Sequence, residues 1–333
     1  MSDDAISPTA LAAILKPKGV ETFDSRDRAA WLKMRQQDVT ASVAGALFGV
    51  HDWVTPYQLF ALKAGLVGED EVESKAMRRG RLLEDDAIQI LREDYPTWRI
   101  DQGARYYRDP AHRIGATPDA FAIAPGVEGF GVVQVKTVDP FAFRQKWKID
   151  GSVEAPLWIA VQATIEALLT GASWACVAAL VVDGGLTLHV IDIPLRPALL
   201  TKLRGLVAEF WTRVAANDPY PPDYARDGAT IARVFSEADD DAVADLSGNA
   251  RVGEILAKRE ALKARESDGS AAEKERKALD AELIFALGNA SLGRLADGRI
   301  ISAPVTKRKE FVVKANSFRA IKIVSTKNAE RAA

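Results

Sequence analysis

The sequence predicts an α/β fold in which a mixed, mostly antiparallel central sheet is flanked by helices. Three observations support this. Residues before Pro96 carry apolar side chains at helical spacing. Residues after Pro96 fall into short runs that alternate or favour β structure. A helix predicted over Leu157–Thr170 separates two groups of these runs, and such an arrangement is typical of a layered α/β domain.

The first part of the chain carries the helix signals. Helices are predicted over Asp27–Gln37, Thr40–Gly49, Thr55–Lys63 and Ser74–Leu91. Thr40 offers a capping hydroxyl, and Pro56 suits a first helical position. The apolar stripe of the longest helix is expected to consist of Met77, Leu82, Leu83, Ala87, Ile88 and Leu91.

Strands are predicted where β-favouring residues follow Pro96. They cover Trp98–Ile100, Ala104–Tyr107, Ala120–Ala124 and Gly131–Lys136. Two further runs, Ala175–Val182 and Leu186–Ile193, are joined by Asp183-Gly-Gly and predict a hairpin. A helix over Leu199–Ala215 is expected to close this unit.

We expect three parts along the chain: an N-terminal segment (1–24), an α/β domain (25–224) and a C-terminal appendage (225–333). The appendage combines a charged helical arm over Arg251–Leu287 with a hairpin around Asp297-Gly298. The basic residues of its tail are Lys307, Arg308, Lys309, Lys314, Arg319 and Lys322. This tail is either an ordinary solvated surface or an edge that faces DNA.

The composition limits the chemistry. With a net charge of -2 and a pI near 6.1, the chain has no overall positive field, so any nucleic acid must be met by local basic patches. A single cysteine excludes an intrachain disulfide framework and a four-cysteine zinc site, and three scattered histidines argue against a histidine-based metal centre. No GxxxxGK[ST] loop is present, which argues against an ATPase or a kinase. Chemistry is therefore expected from carboxylates, amides and lysine.

The sequence also bears on localisation. The first residues do not form a basic leader followed by a continuous apolar stretch, and no window is long and apolar enough to span a bilayer. The expected location is the cytoplasm.

The most informative residues lie around Asp119 and in the run Gly129–Thr137. Because side chains alternate along a strand, Gln134 and Lys136 share one face while Val133 and Val135 point into the core. If the strand carrying Asp119 pairs with this run, a carboxylate joins the amide and the ammonium group. On spacing alone, a Gln-x-Lys pair is more often a solvated face of a half-buried strand.

Such a group of side chains suits phosphodiester hydrolysis. Magnesium coordinated by oxygen atoms offsets the negative charge of the phosphate and activates a bound water. Asp119 would hold the metal. Lys136 would position or deprotonate the water, or neutralise charge that develops in the transition state.

Asp119 followed by Gln134-x-Lys136 resembles the PD-(D/E)XK (restriction-endonuclease-like) nuclease core, and in particular its lambda-exonuclease and YqaJ-type viral recombinase branch. The similarity extends from about Trp31 to Trp211. The further motifs that carry it are Trp31-Leu-Lys-Met-Arg35 with Thr40-Ala-Ser42, Arg79-Gly-Arg-Leu-Leu-Glu84, Gly115-Ala-Thr-Pro-Asp119 and Trp158-Ile-Ala-Val-Gln162.

The resemblance implies a magnesium-dependent exonuclease that degrades double-stranded DNA from an end, in the 5′ to 3′ direction. The product would be a 3′ single-stranded overhang for a single-strand annealing protein in phage-type recombination. Mn²⁺ is an expected substitute for Mg²⁺, and the resemblance also implies a homo-oligomer, namely a trimer. The implied roles are metal binding for Asp119, Gln134, the Val135 carbonyl and Glu84, activation of water for Lys136, lining of the site for Gln162, and phosphate binding for Arg35 and Ser42.

One position departs from the family pattern, because Gln134 stands where glutamate or aspartate is usual. A neutral amide oxygen can ligate magnesium but removes one negative charge from the site. Two alternatives to the exonuclease therefore remain. One is a module that binds DNA ends with weakened or lost catalysis, and the other is a structure-specific endonuclease.

Each supporting residue also has an ordinary structural interpretation. Arg35 could complement a helix dipole, and Ser42 could be a helix N-cap. Glu84 could pair with a neighbouring arginine of its own helix, and Gln162 could be a satisfied buried amide.

Overall fold

The computed structural model describes residues 6–68, 74–149, 151–264, 270–307, 317–319 and 322–324. The chain divides into two compact units, one of Met1–Leu59 with Glu69–Asp218 and the other of Phe60–Gly68 with Pro219–Ala333. The three-part division expected from the sequence stays a prediction. No helix within the described ranges is long and apolar enough to cross a membrane.

The helices up to the end of the first unit are α1 (Pro8–Leu15), α2 (Arg28–Gln37), α3 (Ala41–Leu47), α4 (Pro56–Lys63), α5 (Lys75–Asp94), α6 (Pro140–Lys146), α7 (Leu157–Thr170) and α8 (Pro197–Ala216). All the helices predicted in this part are present, and α7 has the predicted bounds. Gly171 ends α7 because it adopts the left-handed conformation, with φ of 77°, that favours glycine. Helices α1 and α6 were not predicted.

The strands of this unit are β1 (Glu21–Asp24), β2 (Val39–Thr40), β3 (Arg99–Gln102), β4 (Arg105–Asp109), β5 (Ile114–Ala116), β6 (Ala120–Ile123), β7 (Gly131–Val138), β8 (Lys148–Ile149), β9 (Ser152–Val153), β10 (Trp174–Val182) and β11 (Leu186–Ile193). Five of them form the central sheet in the order β11-β10-β7-β6-β3. Strands β7 and β10 are parallel, and the other pairs are antiparallel. The predicted mixed, mostly antiparallel sheet flanked by helices is confirmed, as is the β10–β11 hairpin.

The two faces of β7 meet different helices. Val133 and Val135 are buried in a cluster that includes Ile88 and Leu91 of α5, as the alternation predicted. The intervening Gln134 points to the opposite face, where its side chain is hydrogen-bonded to Gln162 of α7. Helices α5 and α7 therefore enclose β7 from both sides.

Two expectations about the helices are wrong. Met77 and Leu82 are 63% and 55% exposed, so they are not part of the apolar stripe of α5. Full burial on this helix is confined to Ala87, Ile88 and Leu91, in the half that packs against the sheet. Thr40 does occupy the N-cap of α3, but its side chain makes no capping hydrogen bond, because its hydroxyl lies 3.0 Å from that of Ser42.

A second sheet, in the order β1-β4-β5-β2, connects distant parts of the sequence. Its short strands β2 and β5 are parallel, with Val39 opposite Ile114 and Thr40 opposite Gly115. This pairing fixes the chain just after α2 beside the strand that leads to Asp119. Strands of two and three residues carry too little periodicity to be predicted.

The second unit contains α9 (Tyr224–Val234), α10 (Ala250–Ala264) and α11 (Ser270–Leu287), with β12 (Asp239–Asp245), β13 (Ala290–Arg294), β14 (Ile300–Ser302), β15 (Val305–Lys307), β16 (Ser317–Arg319) and β17 (Lys322–Val324). Helices α10 and α11 share a hydrophobic cluster that includes Ile255 and Leu283. The predicted hairpin is confirmed, because β13 and β14 are antiparallel on either side of Asp297-Gly298. Part of the basic tail, including Arg308, Lys309 and Lys314, lies outside the described residues.

Candidate active site

The centre of the site is the junction between β6 and β7. Ala120 lies opposite Val133 in this antiparallel pair, so Asp119, one residue before β6, is placed beside Gln134. The Val135 backbone N–H donates to Asp119 Oδ2 at 2.7 Å, and Gln134 Nε2 donates to the same oxygen. The pairing required for the predicted group of side chains is thus present.

A chain of hydrogen bonds continues from Gln134 into α7. Gln134 Oε1 accepts a hydrogen bond from Gln162 Nε2 at 2.8 Å, and the same nitrogen donates to Glu166 Oε1 at 2.9 Å. The three side chains belong to residues that are only 2%, 5% and 1% exposed. Asp119 is therefore connected to Glu166 through two amides in the interior of the domain.

Helix α5 contributes Glu84 from the other side of the sheet edge. Arg79, one turn earlier, donates from Nη2 to the Thr137 carbonyl at 3.3 Å and so fixes α5 to the end of β7. Burial, followed by repulsion from Asp119 and Asp85, raises the pKa of Glu84 to about 7 against the attraction of Lys136. Lys136 Nζ lies 5.9 Å from the centre of the Trp158 ring of α7.

The other carboxyl groups of the site are perturbed in the same direction. Burial raises the pKa of Asp119, although Lys136 and two hydrogen bonds oppose the change. Burial and repulsion from Asp119 raise the pKa of Glu166 well above its usual range. Asp119 thus raises the pKa of both Glu84 and Glu166, and a cation bound among these carboxyl groups would favour their ionised forms.

These side chains line one cavity of about 290 Å³, together with residues from the start of the domain. Trp31 Nε1 donates to Thr117 Oγ1 at 3.0 Å, and the Arg35 guanidinium lies over the Trp31 ring at 4.4 Å from its centre. The β2–β5 pairing described above explains why α2 and α3 reach this cavity. The predicted site residues that line it are Arg35, Ser42, Glu84, Asp119, Gln134, Lys136 and Gln162.

Two of the predicted residues have details that the sequence did not reveal. Val135 contributes its backbone, and its carbonyl oxygen lies 3.3 Å from Gln134 Nε2. Ser42 is not a helix N-cap, since Thr40 occupies that position in α3. The roles assigned to these residues stay predictions.

Glu166 lines the same cavity but was not predicted. A signal for it existed in the sequence. It is the only charged residue of the largely apolar α7, and it follows Gln162 by four residues, which places both on one helix face. A glutamate is almost never fully buried unless it has a partner.

The residues fit a hard divalent cation by ligand type. Carboxylate, amide and backbone carbonyl oxygens are the donors that magnesium prefers. Gln162 Oε1 and Glu166 Oε2 are buried and have no hydrogen-bond partner in the described part of the chain. Within those same ranges, three or more His, Cys, Asp or Glu side chains do not converge on a common point, so amide and backbone oxygens would have to complete the coordination.

The resemblance to the YqaJ-type viral recombinase branch is confirmed for the segment that a family model matches. Residues 30–173 match the YqaJ-like viral recombinase domain, and the matched segment contains all the cavity residues named above. No curated protein matches the chain.

Solved structures similar to this chain include an alkaline exonuclease (LHK-Exo) from Laribacter hongkongensis, with 17% identity and a TM-score of 0.45 over 57% of this chain and 94% of that protein. LHK-Exo in complex with dAMP matches with 18% identity and the same TM-score and coverage. A phage-related exonuclease from Haemophilus somnus 129PT matches with 13% identity and a TM-score of 0.41, over 54% of this chain and 96% of that one.

Proposed function

We propose that this chain is a metal-dependent exonuclease that degrades double-stranded DNA from an end, in the 5′ to 3′ direction, and leaves 3′ single-stranded overhangs for recombination. The observation that carries the proposal is the single cavity in which a carboxylate–lysine centre meets Arg35 and Ser42. The match to a viral recombinase domain supports the recombination role.

The metal would be held by Asp119, Glu84 and the Val135 carbonyl. The Gln134 amide oxygen would join them on exchanging the hydrogen bond that it accepts from Gln162 for the metal. Mg²⁺, or Mn²⁺ in its place, would neutralise phosphate charge and activate water when bound. Lys136 shares the cavity with these groups. Its ammonium group would hold the attacking water and stabilise negative charge on the phosphate in the transition state.

Arg35 and Ser42 would bind the terminal phosphate of the DNA. Arginine forms paired, charge-assisted hydrogen bonds with phosphate oxygens, and a serine hydroxyl adds a further donor. Gln162 would hold the Gln134 amide in place through the 2.8 Å hydrogen bond between them. Recognition of a terminal phosphate next to the cleavage centre would restrict the enzyme to DNA ends.

A second candidate function is binding of DNA ends without turnover. The observation that favours it is the neutral Gln134 beside Asp119, because a lost negative charge weakens binding of a divalent cation. Both functions share the same phosphate contacts, so only cleavage distinguishes them.

The test is digestion of linear duplex DNA labelled at either 5′ or 3′ ends, with Mg²⁺, Mn²⁺ or EDTA. The native protein is compared with Lys136→Ala and with Lys148→Ala, an exposed lysine outside the cavity. A covalently closed circle is included in each series. We expect release of the 5′ label by the native protein and the Lys148 variant, none by Lys136→Ala, and an intact circle.

Other outcomes have definite meanings. Tight end binding by a native protein that does not cleave would support the binding module, and gain of cleavage in Gln134→Glu would attribute the loss to that residue. A cut circle would indicate an endonuclease. Release of the 3′ label first would contradict the proposed direction.

The proposed assembly is a homo-oligomer, a trimer by family resemblance, that hands its overhangs to a single-strand annealing protein. Light scattering on the purified chain gives the oligomer mass directly. A monomer at working concentration would contradict the proposed assembly without affecting the nuclease proposal.

A further inference from the structure

We propose that Glu166 is a carboxylate of the metal site and supplies the negative charge that Gln134 lacks. This inference rests on the proposed function, since it assumes that the cavity takes a divalent cation. It assigns to α7 a ligand that neither the sequence motifs nor the family match identified.

The first argument is position. Glu166 lines the cavity that also contains Asp119, Gln134 and Lys136, and it is only 1% exposed. Its Oε1 and the Oε1 of Gln134 lie 2.9 and 2.8 Å from one nitrogen, Gln162 Nε2. The side chains of Glu166 and Gln134 are therefore linked through one amide group, that of Gln162.

The second argument is the missing partner. Glu166 Oε2 is buried and makes no hydrogen bond in the described part of the chain, and its Oε1 receives only the neutral Gln162 amide. A buried carboxylate without a cationic partner is strongly unfavourable. A carboxyl group that faces a polar cavity can instead acquire that partner from solution, as a metal ion.

The third argument is that the Gln134 amide is already occupied. Its nitrogen donates to Asp119, and its oxygen accepts from Gln162. To ligate a metal next to Asp119 through its oxygen, Gln134 would have to give up this arrangement. In the observed arrangement Gln134 instead connects Asp119 to the Gln162–Glu166 pair.

The balance of charge gives the same result. The cavity lining contains the carboxyl groups of Glu84, Asp119 and Glu166 and the cationic groups of Arg35 and Lys136. Carboxylate ligands are deprotonated when a metal binds, so the count is made with every carboxyl group ionised. The lining then sums to zero without Glu166 and carries a net negative charge with it. Charge count is a main determinant of affinity for hard divalent cations.

The experiment measures metal binding separately from cleavage. Binding of Ca²⁺ and Mn²⁺ is measured by calorimetry on the full chain, because this readout does not depend on turnover. The variants are Glu166→Gln, Gln134→Glu and the double variant Gln134→Glu/Glu166→Gln. Glu209→Gln, an exposed helical glutamate of α8, is the matched control.

We expect Glu166→Gln to weaken metal binding by about 10–100-fold, the range typical of residues that support a metal site. The double variant, which returns the carboxylate to β7, is expected to recover most of the affinity, and Glu209→Gln should equal the native protein. Melting curves in EDTA exclude misfolding as the cause. If Glu166→Gln alone does not fold, the metal affinity of the double variant is compared with that of Gln134→Glu. These two variants also differ only at Glu166.

The outcomes separate the two proposals. A native protein that binds metal and cleaves DNA, with Glu166→Gln unchanged in metal affinity, would overturn the role of Glu166 and leave the nuclease intact. Weak binding in Glu166→Gln that the double variant does not recover would also count against the inference. A native protein that neither binds metal nor cleaves DNA would overturn both proposals.

Discussion

The first unit contains two pairs of carboxyl groups in opposite electrostatic situations, and all of them are buried except Asp119, which is half-buried. Asp38 is fully buried and accepts hydrogen bonds from Tyr106 Oη at 2.9 Å and from Arg108 Nε at 2.8 Å. Asp109, only 5% exposed, accepts one from Arg204 Nη2 at 2.8 Å and contacts the His112 ring. Each of these carboxylates has an arginine partner.

Within the described ranges no arginine donates to Asp119 or Glu166, and the cation that acts on both is Lys136. The groups that donate to them in the described part of the chain are the Val135 backbone N–H and the amides of Gln134 and Gln162. Burial raises the pKa of both carboxyl groups. For Asp109, burial also acts to raise the pKa, but hydrogen bonds from its neighbours outweigh it and the pKa is lowered.

The difference indicates a structural role for Asp38 and Asp109 and a functional role for Asp119 and Glu166. A carboxylate paired with arginine inside the domain stabilises one arrangement of strands. A buried carboxylate without a cation destabilises the isolated protein, and strongly perturbed groups of this kind concentrate at functional sites. The comparison can be tested by changing one member of each pair.

The largest expected effect is on cleavage, in Asp119→Asn. Loss of this carboxylate should lower the single-turnover rate by about 10²–10³-fold, the usual result of removing one electrostatic contact from a reaction centre. Stability in EDTA should not fall, because desolvation of the Asp119 charge outweighs the attraction of Lys136 and the substitution removes that charge. A variant that keeps the native rate would place the reaction centre elsewhere, and marked destabilisation in EDTA would contradict the comparison.

Arg108→Ala should produce the largest loss of stability. It leaves Asp38 buried with Tyr106 as its main remaining donor, and breaking a buried ion pair from one side costs about 3 kcal/mol or more. Urea unfolding measures the change. Arg26→Ala breaks an exposed pair with Asp24 and should leave the melting temperature unchanged. Equal losses of stability in the two variants would show that burial of an ion pair does not determine the cost of breaking it.

Gly115→Ala tests the packing around Asp38. A Cβ at this position would lie 1.7 Å from Tyr106 Oη, the group that donates to Asp38. Displacement of the ring should reduce the free energy of unfolding by about 1–3 kcal/mol. Gly205→Ala, in α8 with no atom near the added methyl group, should be neutral or stabilising. A neutral Gly115→Ala would mean that β4 and β5 can separate without cost.

The smallest effect concerns acid stability through Asp109. Its pKa in the folded protein lies below the unfolded value of 3.8, so its contribution is fully present above that value. The contribution is lost as the pH falls through the lower, folded pKa. Asp109→Asn should therefore be less stable than the native protein near neutral pH, and the gap should narrow as the pH falls below about 4. A gap that does not depend on pH would contradict this assignment.

Much of the fold could be predicted because its signals are local. The apolar spacing within α7 and the Asp183-Gly-Gly turn of the β10–β11 hairpin depend on neighbouring residues alone. Alternation along β7 also predicted that Val133 and Val135 enter the core while Gln134 and Lys136 share the other face. Exposure of Met77 and Leu82 could not be predicted, because it depends on where α5 meets the sheet.

The sequence by itself determined the longest helices, the main strands of the central sheet, the order of the motifs and the chemical types available to the site. Only the tertiary structure decided that Arg35 and Ser42 share a cavity with Asp119, because a parallel pair of very short strands, β2 and β5, brings those segments together. It also decided that Glu166 is buried with one oxygen, Oε2, that makes no hydrogen bond in the described part of the chain. Pairing between distant segments and the burial of a charge depend on the whole packed domain. Neither produces a periodic pattern of residues from which it could be predicted.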